Sequence, residues 1–358
     1  NDSLVAYLDS IIILIEAAQE EDGYIYTPRT IDPETNVPGG GSERWKDVWI
    51  SHELYNAGHL YEAAVAYYMA TGKRKLLDVA LKNADLVISV FNDEGLQLAP
   101  GHQEIELGLI KLYRLTGEQK YLDQASWFLD QRGKKVIREA EPAGGRFEIY
   151  NDPSYLQYHL TVKEQNMAVG HAVRAMYMYA GMTDIAAIQN DADYRNAVDQ
   201  LWKNMVYKKT YITGGIGASR HGEAFGENYV LPNLTAYSET CAAIGSVYWN
   251  HRLFLLNGDV KYYDVIERTL YNGLISGLSL DGQKFFYPNA LESDGVHTFN
   301  QGSCTRKSWF DCSCCPTNLI RFLPSVPGLI YTTHSDTLFV NLYASNEAEV
   351  EMEDQNIK

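Results

Sequence analysis

A helical hairpin recurs along this chain, and the recurrence limits the folds open to it. Gly58-His59 opens an apolar run at helical spacing that ends at Thr71-Gly72, and its partner carries Leu76-Leu77-Asp78. Gly101-His102 opens a second, ending at Thr116-Gly117, with Tyr121-Leu122-Asp123 beyond it. Gly170-His171 opens a third that ends near Thr183, followed by Asp193-Tyr194. Cys241 to Leu256 forms a fourth, closed by Asn257-Gly258-Asp259 and followed by Tyr262-Tyr263-Asp264. One hairpin cannot bury its own apolar faces, so such units stack sideways. An open solenoid and a closed toroid both satisfy the pattern. Long irregular stretches at 92–101, 140–161 and 208–238 all follow second helices. They are expected to gather at one end, which favours a toroid with a single loop-lined cavity.

The flanks differ from the repeat. Asp2 to Gln19 is apolar at helical spacing, with Leu4, Leu8, Ile11, Ile12 and Ile15 on one side. Gly23 to Gly41 reads as a loop, with Pro28, Pro33, Pro38 and three consecutive glycines. After a helix expected at 316–324, Leu329–Thr333 and Thr337–Tyr343 read as a β-hairpin, and Val350–Met352 as a further strand. So few strands cannot bury a sheet face, so 326–358 is expected to begin a β domain of a longer protein. The chain opens on Asn1 without a leader pattern, and is read as a mature product or a piece of something longer.

Charge and cysteine usage narrow the function. A net charge of -16 argues against nucleic acid and against anionic membrane surfaces as partners. No apolar run reaches the length of a membrane span. Five cysteines, four of them in the last third, do not resemble a disulfide framework. Reduced thiols and a cytoplasmic setting are expected, or a periplasmic one had a leader been removed.

Three of those cysteines fall in Trp309–Arg321, WFDCSCCPTNLIR, at 312, 314 and 315. Adjacent thiols rarely bridge each other, but they suit a soft metal. Pro316 reads as the first residue of a helix, whose N-terminus favours thiolate. Far upstream, Tyr237-Ser238-Glu239-Thr240-Cys241 sets a carboxylate and a thiol at a helix start. Glu239, Cys241, Cys314 and Cys315 together make a four-ligand set of a type that suits zinc. Buried free cysteine is the plain alternative. In YITGGIGASRHGEAFGE, Glu223 lies on a glycine-rich loop without the lysine of a phosphate loop. An ordinary exposed glutamate is the alternative there. His52, His59, His102 and His171 lie at or just before first helices of the repeat. Each alone reads equally as a cap or a core histidine; together they suggest a polar cavity able to bind hydroxyls. The 26 tyrosines are mostly helix-packing residues and carry little weight.

At these residues the chain resembles bacterial β-L-arabinofuranosidases of glycoside hydrolase family one hundred and twenty-seven. The matching stretches are SHELYNAGHLYEAAVAYY, PGHQEIELGLIKLYRLTGEQKYLD, VGHAVRAMY, GGIGASRHGEAFG, LPNLTAYSETCAA, FFYPNALES and CSCCPTNLIRFLPS. The resemblance implies an all-α fold, an (α/α)6 barrel over 1–325, followed by the start of a β-sandwich at 326–358. Roughly ten helices are legible against the twelve of a full barrel, so the barrel is expected to be incomplete at its N-terminus. It also implies a retaining exo-glycosidase that releases β-L-arabinofuranose from arabinofuranoside-containing oligosaccharides of plant glycans or glycopeptides. Glu223 matches the general acid/base and Cys314 the nucleophile. Glu239, Cys241, Cys314 and Cys315 match zinc ligands. His52, His102, His171 and Tyr287 match sugar-contacting positions, with His52 chosen over His59. Homodimer formation is left open, and a chain lacking barrel segments is not assured of its parent's activity. Two further readings stand beside this one: a related hydrolase for another plant sugar, and a non-enzymatic zinc-stabilised helical domain that binds glycans or protein partners.

Overall fold

The computed structural model describes residues 1–32, 43–134, 145–352 and 355–357. The glycine run of the 23–41 loop and residues 140–144 of the 140–161 loop therefore lie outside the described residues. The chain forms two compact units, Asn1–Trp202 and Lys203–Lys358. Both are helical, and among the described residues the short strands lie near the C-terminal end.

The first unit holds α1 (Asp2–Ala18), α2 (Thr27–Ile31), α3 (Glu53–Thr71), α4 (Lys75–Val90), α5 (Ile105–Thr116), α6 (Gln119–Gln131) and α7 (Ala172–Ile188). The division between the units falls inside α8 (Ala192–Lys208). The expected hairpins are present: α3 packs on α4 and α5, and α5 on α6 and α7. Their turns share one device. Gly72 and Gly117 adopt φ of 72° and 73°, and their N–H groups close the preceding helix on the carbonyls of Tyr68 and Tyr113. Such a left-handed cap suits glycine, which has no Cβ to clash. In the third hairpin α7 runs past the expected end at Thr183 to Ile188, its cap Gln189 is right-handed, and the left-handed residue is the next one, Asn190, at φ 53°. Two boundaries also differ at the N-terminal side. α3 begins at Glu53, so His59 lies within the helix rather than ahead of it. The 23–41 loop contains the short helix α2, with Pro28 in its first turn, where a missing N–H costs nothing. Of the apolar stripe on α1, only Ile12 is buried.

α3 and α5 meet at two glycines. A Cβ added to Gly58 would lie 2.6 Å from the Ile105 nitrogen, and one on Gly108 2.6 Å from the Gly58 carbonyl oxygen. The backbones themselves form this crossing, so neither position has room for a methyl group.

The second unit holds α9 (Thr240–Asn257), α10 (Lys261–Arg268), a π turn at Thr269–Leu274 and α11 (Cys314–Phe322). Gly258, at φ 68°, repeats the cap seen at Gly72. α9 packs on α10 and α11. Helix α11 starts two residues before Pro316, not at it. The first residues of a helix have no intrahelical acceptor for their N–H groups, so proline is tolerated at the third position as well as the first. A 3-10 segment at Leu323–Leu329 leads to β1 (Tyr331–His334) and β2 (Thr337–Val340), the expected antiparallel hairpin. β3 (Val350–Met352) pairs antiparallel with β4 (Gln355–Ile357). Among the described residues, no helix is long and apolar enough to cross a membrane.

Gly58→Ala and Gly108→Ala are each expected to destabilise the protein by about 1–3 kcal/mol, despite the higher helix propensity of alanine. Urea unfolding of the two variants checks this; a raised midpoint in either contradicts the backbone crossing.

Candidate active site

The second unit brings four of the expected residues to one point. Ligand atoms of Glu239, Cys241, Cys314 and Cys315 all lie within 4.8 Å of one another. Two helix starts deliver them. Glu239 is the N-cap of α9, with an extended ψ of 138°, and Cys241 is the second helical residue. That break in helical geometry lets side chains two residues apart reach the same place. Cys314 and Cys315 open α11. A strand-like segment holds the first pair in position. The Thr240 N–H donates to the Tyr287 carbonyl at 3.0 Å. The Asn289 amide donates to the Ser238 carbonyl at 2.9 Å and to Thr240 Oγ1 at 3.0 Å.

The donor set fits a soft ion. Cys241 Sγ lies 3.4 Å from Cys315 Sγ, and Cys314 Sγ 3.9 Å from Cys315 Sγ. Glu239 Oε1 lies 3.5 Å from Cys315 Sγ and 3.8 Å from Cys314 Sγ. A tetrahedral ion with metal–sulfur bonds of about 2.3 Å separates its ligands by roughly 3.7 Å. All five cysteines are free thiols. Glu239 Oε2 is buried without a hydrogen-bond partner. Burial, then the charges of Glu223 and Cys314, push the Glu239 carboxyl well above the usual range. A cation bound there would supply the missing counter-charge. Burial raises the Cys241 thiol, but hydrogen bonds involving Cys314, Cys315 and Asn318 outweigh it and bring the thiol to about 7.

The four donors are not equivalent. Glu239, Cys241 and Cys315 are buried, whereas Cys314 is partly exposed. Cys314 Sγ lies 3.0 Å from the Tyr287 hydroxyl. The exposed Cys312 lies 4.0 Å from that same hydroxyl. Glu223 sits in a tight turn at His221–Glu223, where Gly222 and Glu223 both adopt left-handed backbone, at φ 69° and 52°. Such conformations cost a non-glycine residue energy and cluster at functional sites. Glu223 Oε1 accepts a hydrogen bond of 2.6 Å from the Tyr237 hydroxyl. Carboxylate oxygens of Glu223 and Glu239 lie within 4.8 Å of each other. Tyr237 stands beside Ser238-Glu239 in sequence, but nothing in the sequence marks it as the partner of Glu223.

The first unit gathers the three matching histidines. The His52 and His102 ring centroids are 5.8 Å apart, and those of His102 and His171 5.7 Å. Tyr55 packs on His102 at 4.2 Å. His52 is the residue before α3, in a left-handed conformation at φ 58°. His59, seven residues further on and inside α3, instead contacts Glu104 at 3.0 Å. Burial, then the Arg174 guanidinium, lowers His52 to about 4 and His102 well below its ordinary value.

These depressed values make stability depend on pH. An unfolded histidine ionises near 6.5, whereas folded His52 ionises at about 4. Between those values the unfolded chain holds more protons, so stability is complete above pH 6.5 and falls as pH drops toward 4. The expected loss is on the order of 2–3 kcal/mol for His52. Urea midpoints from pH 7.5 to 4.5 check it: His52→Gln should show a shallower decline than the wild type, and equal slopes contradict it.

Comparison with known proteins identifies the family. Residues 1–328 match the family profile described as beta-L-arabinofuranosidase, GH127 catalytic domain. The chain is 37% identical over 362 residues to a non-reducing end beta-L-arabinofuranosidase of Bifidobacterium longum subsp. longum, covering 97% of the chain and 54% of that protein. A solved GH127 beta-L-arabinofuranosidase from Geobacillus stearothermophilus T6 superposes with a TM-score of 0.91 at 43% identity, covering 99% of the chain and 57% of that structure. A solved GH127 beta-arabinofuranosidase superposes with a TM-score of 0.90 at 53% identity, covering 99% and 53%. The chain thus spans about half the length of these relatives. Its fold is of the (α/α)6 barrel class, as the resemblance implied. By the profile match and by identity over nearly its whole length, the chain belongs to the GH127 β-L-arabinofuranosidase catalytic-domain family.

Proposed function

We propose that this chain carries the catalytic part of a retaining exo-glycosidase that releases β-L-arabinofuranose from plant glycans or glycopeptide oligosaccharides. Residues 1–325 would form the catalytic domain, and 326–358 the beginning of a β-sandwich. The observation that carries the reading is the asymmetry of the four-residue cluster: three donors are buried and the fourth, Cys314, is partly exposed beside the Tyr287 hydroxyl. A purely structural metal site is closed on all sides, whereas a reactive one leaves a position accessible. The names of the relatives, each a β-arabinofuranosidase, support the same substrate class.

Zinc is the proposed ion, held by Glu239, Cys241, Cys314 and Cys315, and its chemistry is to keep these thiols deprotonated near neutral pH. Cys314 then acts as the nucleophile, attacking the anomeric carbon where most retaining glycosidases use a carboxylate. Glu223 donates its proton to the departing glycosidic oxygen. In the second step Glu223 takes a proton from water, which displaces Cys314 and releases the sugar with retained configuration. The Tyr237 hydroxyl, bonded to Glu223, orients that carboxyl. His52, His102 and His171 of the first unit and Tyr287 of the second are the proposed sugar-contacting residues.

Cys314→Ser is expected to abolish release of nitrophenol from its β-L-arabinofuranoside. Glu223→Gln is expected to lower kcat by about 10²- to 10⁴-fold. Far-ultraviolet circular dichroism should show both variants folded. Elemental analysis should find one zinc per chain, lost in Cys241→Ser. A folded Cys314→Ser protein with undiminished turnover refutes the nucleophile assignment; hydrolysis of pyranosides alone refutes the substrate class.

A further inference from the structure

The three clustered histidines hold their ring nitrogens in two different ways. His52 Nδ1 lies 2.7 Å from the Ile50 carbonyl oxygen, and His102 Nδ1 2.9 Å from that of Gln103. A carbonyl only accepts, so both rings carry their proton on Nδ1 and present Nε2 as an acceptor. His171 is reversed. As N-cap of α7, its Nδ1 accepts from the N–H groups of Val173 at 3.2 Å and Arg174 at 3.5 Å. Its proton is therefore on Nε2, which is a donor.

Arg174 is the residue that ties this cluster together. It is 2% exposed. Its Nη1 donates to the Gly101 carbonyl at 2.5 Å, and its Nη2 to the Tyr150 hydroxyl at 2.9 Å. The guanidinium lies over the rings of Tyr150 and Tyr155, at 5.1 and 5.0 Å. One side chain thus joins the residue before His102 to the first turn of the helix that His171 caps. Gln157 makes a parallel tie: its Nε2 donates to the His171 carbonyl at 3.2 Å, and its Oε1 accepts from Gln103 Nε2 at 3.0 Å. Both acceptors of the guanidinium are neutral, so its charge is not cancelled through these bonds. It adds to burial in keeping the nearby imidazoles uncharged.

We propose that Arg174 is a positioning residue for the sugar site: it locks the segments carrying His102 and His171 in register, so that His52 and His102 present ring acceptors while His171 keeps its proton on Nε2. The proposal rests on the assignment of these histidines to sugar binding. A terminal pentofuranose matches the two acceptors, since two of its three free hydroxyls can each donate to one of them. A sugar whose hydroxyls are methylated cannot donate and leaves both acceptors unpaired.

Long-range proton–nitrogen spectra of the histidine rings test this without substrate. The wild type should show His52 and His102 protonated on Nδ1 and His171 on Nε2. In Arg174→Gln at least one of the His102 and His171 signals should leave that pattern. KM for the nitrophenyl furanoside should rise about tenfold, the effect of losing one well-placed hydrogen bond, with kcat changed less than about threefold. Unchanged ring signals in a folded Arg174→Gln protein overturn the proposal. Should that variant not fold, Tyr150→Phe removes one acceptor of the guanidinium, and the same spectra decide in the same way. A wild type with the stated ring pattern but no furanoside turnover sustains the ring assignments and refutes the sugar assignment beneath them.

Discussion

A carboxylate taken out of water beside three sulfur ligands has to be neutralised, either by a proton or by a cation. Glu239 meets that condition in the second unit, and much of the unit's chain path serves it. The start of α9, the start of α11 and the segment through Tyr287 all terminate at this point. Asn289 and Thr240 fasten the segments to each other by hydrogen bonds that do not involve the cluster itself. The Glu239 and Cys241 donors are therefore held in place by backbone and amide contacts. A site prepared in this way needs little rearrangement to take up an ion, and it disfavours ions that demand six oxygen ligands.

The two units use opposite means to control charge. Around Glu239 acidic groups are crowded together, which drives their protons on unless a cation is present. Around His52 and His102 a buried guanidinium and a dry environment drive protons off. Imidazoles that never ionise near neutral pH make fixed, directional hydrogen-bond partners. The backbone conformations agree with this division of labour. Glu223, Ser238 and His52 all sit at positive φ, so a cost in local strain is carried where side-chain direction matters most.

The hairpin repeat was legible because its punctuation is local. A glycine after a helical run needs only its own missing Cβ to close the turn, and Gly72, Gly117 and Gly258 do so. The metal-type cluster was legible for a different reason: adjacent cysteines are rare enough that they direct the search for distant partners. Other features depended on tertiary placement. The helix start at Cys314 was misplaced to Pro316 because proline is tolerated over several first-turn positions. Tyr237 as partner of Glu223, and Arg174 as the tie behind the histidines, follow from contacts 14 and 73 residues apart in sequence. Periodicity in α1 put Leu4, Leu8, Ile11, Ile12 and Ile15 on one side, and of that stripe only Ile12 is buried.

The position of the cysteine pair within α11 has a further consequence. Consecutive helical residues point about 100° apart around the axis, and here that angle sends Cys315 inward while Cys314 is left partly open to solvent. The distinction between the two sulfurs is therefore a matter of rotational phase, not of any chemical difference. Inserting or deleting one residue between α11 and the segment that anchors it would turn the helix by a little over a quarter circle. The sulfurs would then no longer keep their present orientations, although their local sequence would be unaltered. The run leading into Cys314 is thus constrained in length as well as in composition, since Cys312 within it also approaches the Tyr287 hydroxyl at 4.0 Å.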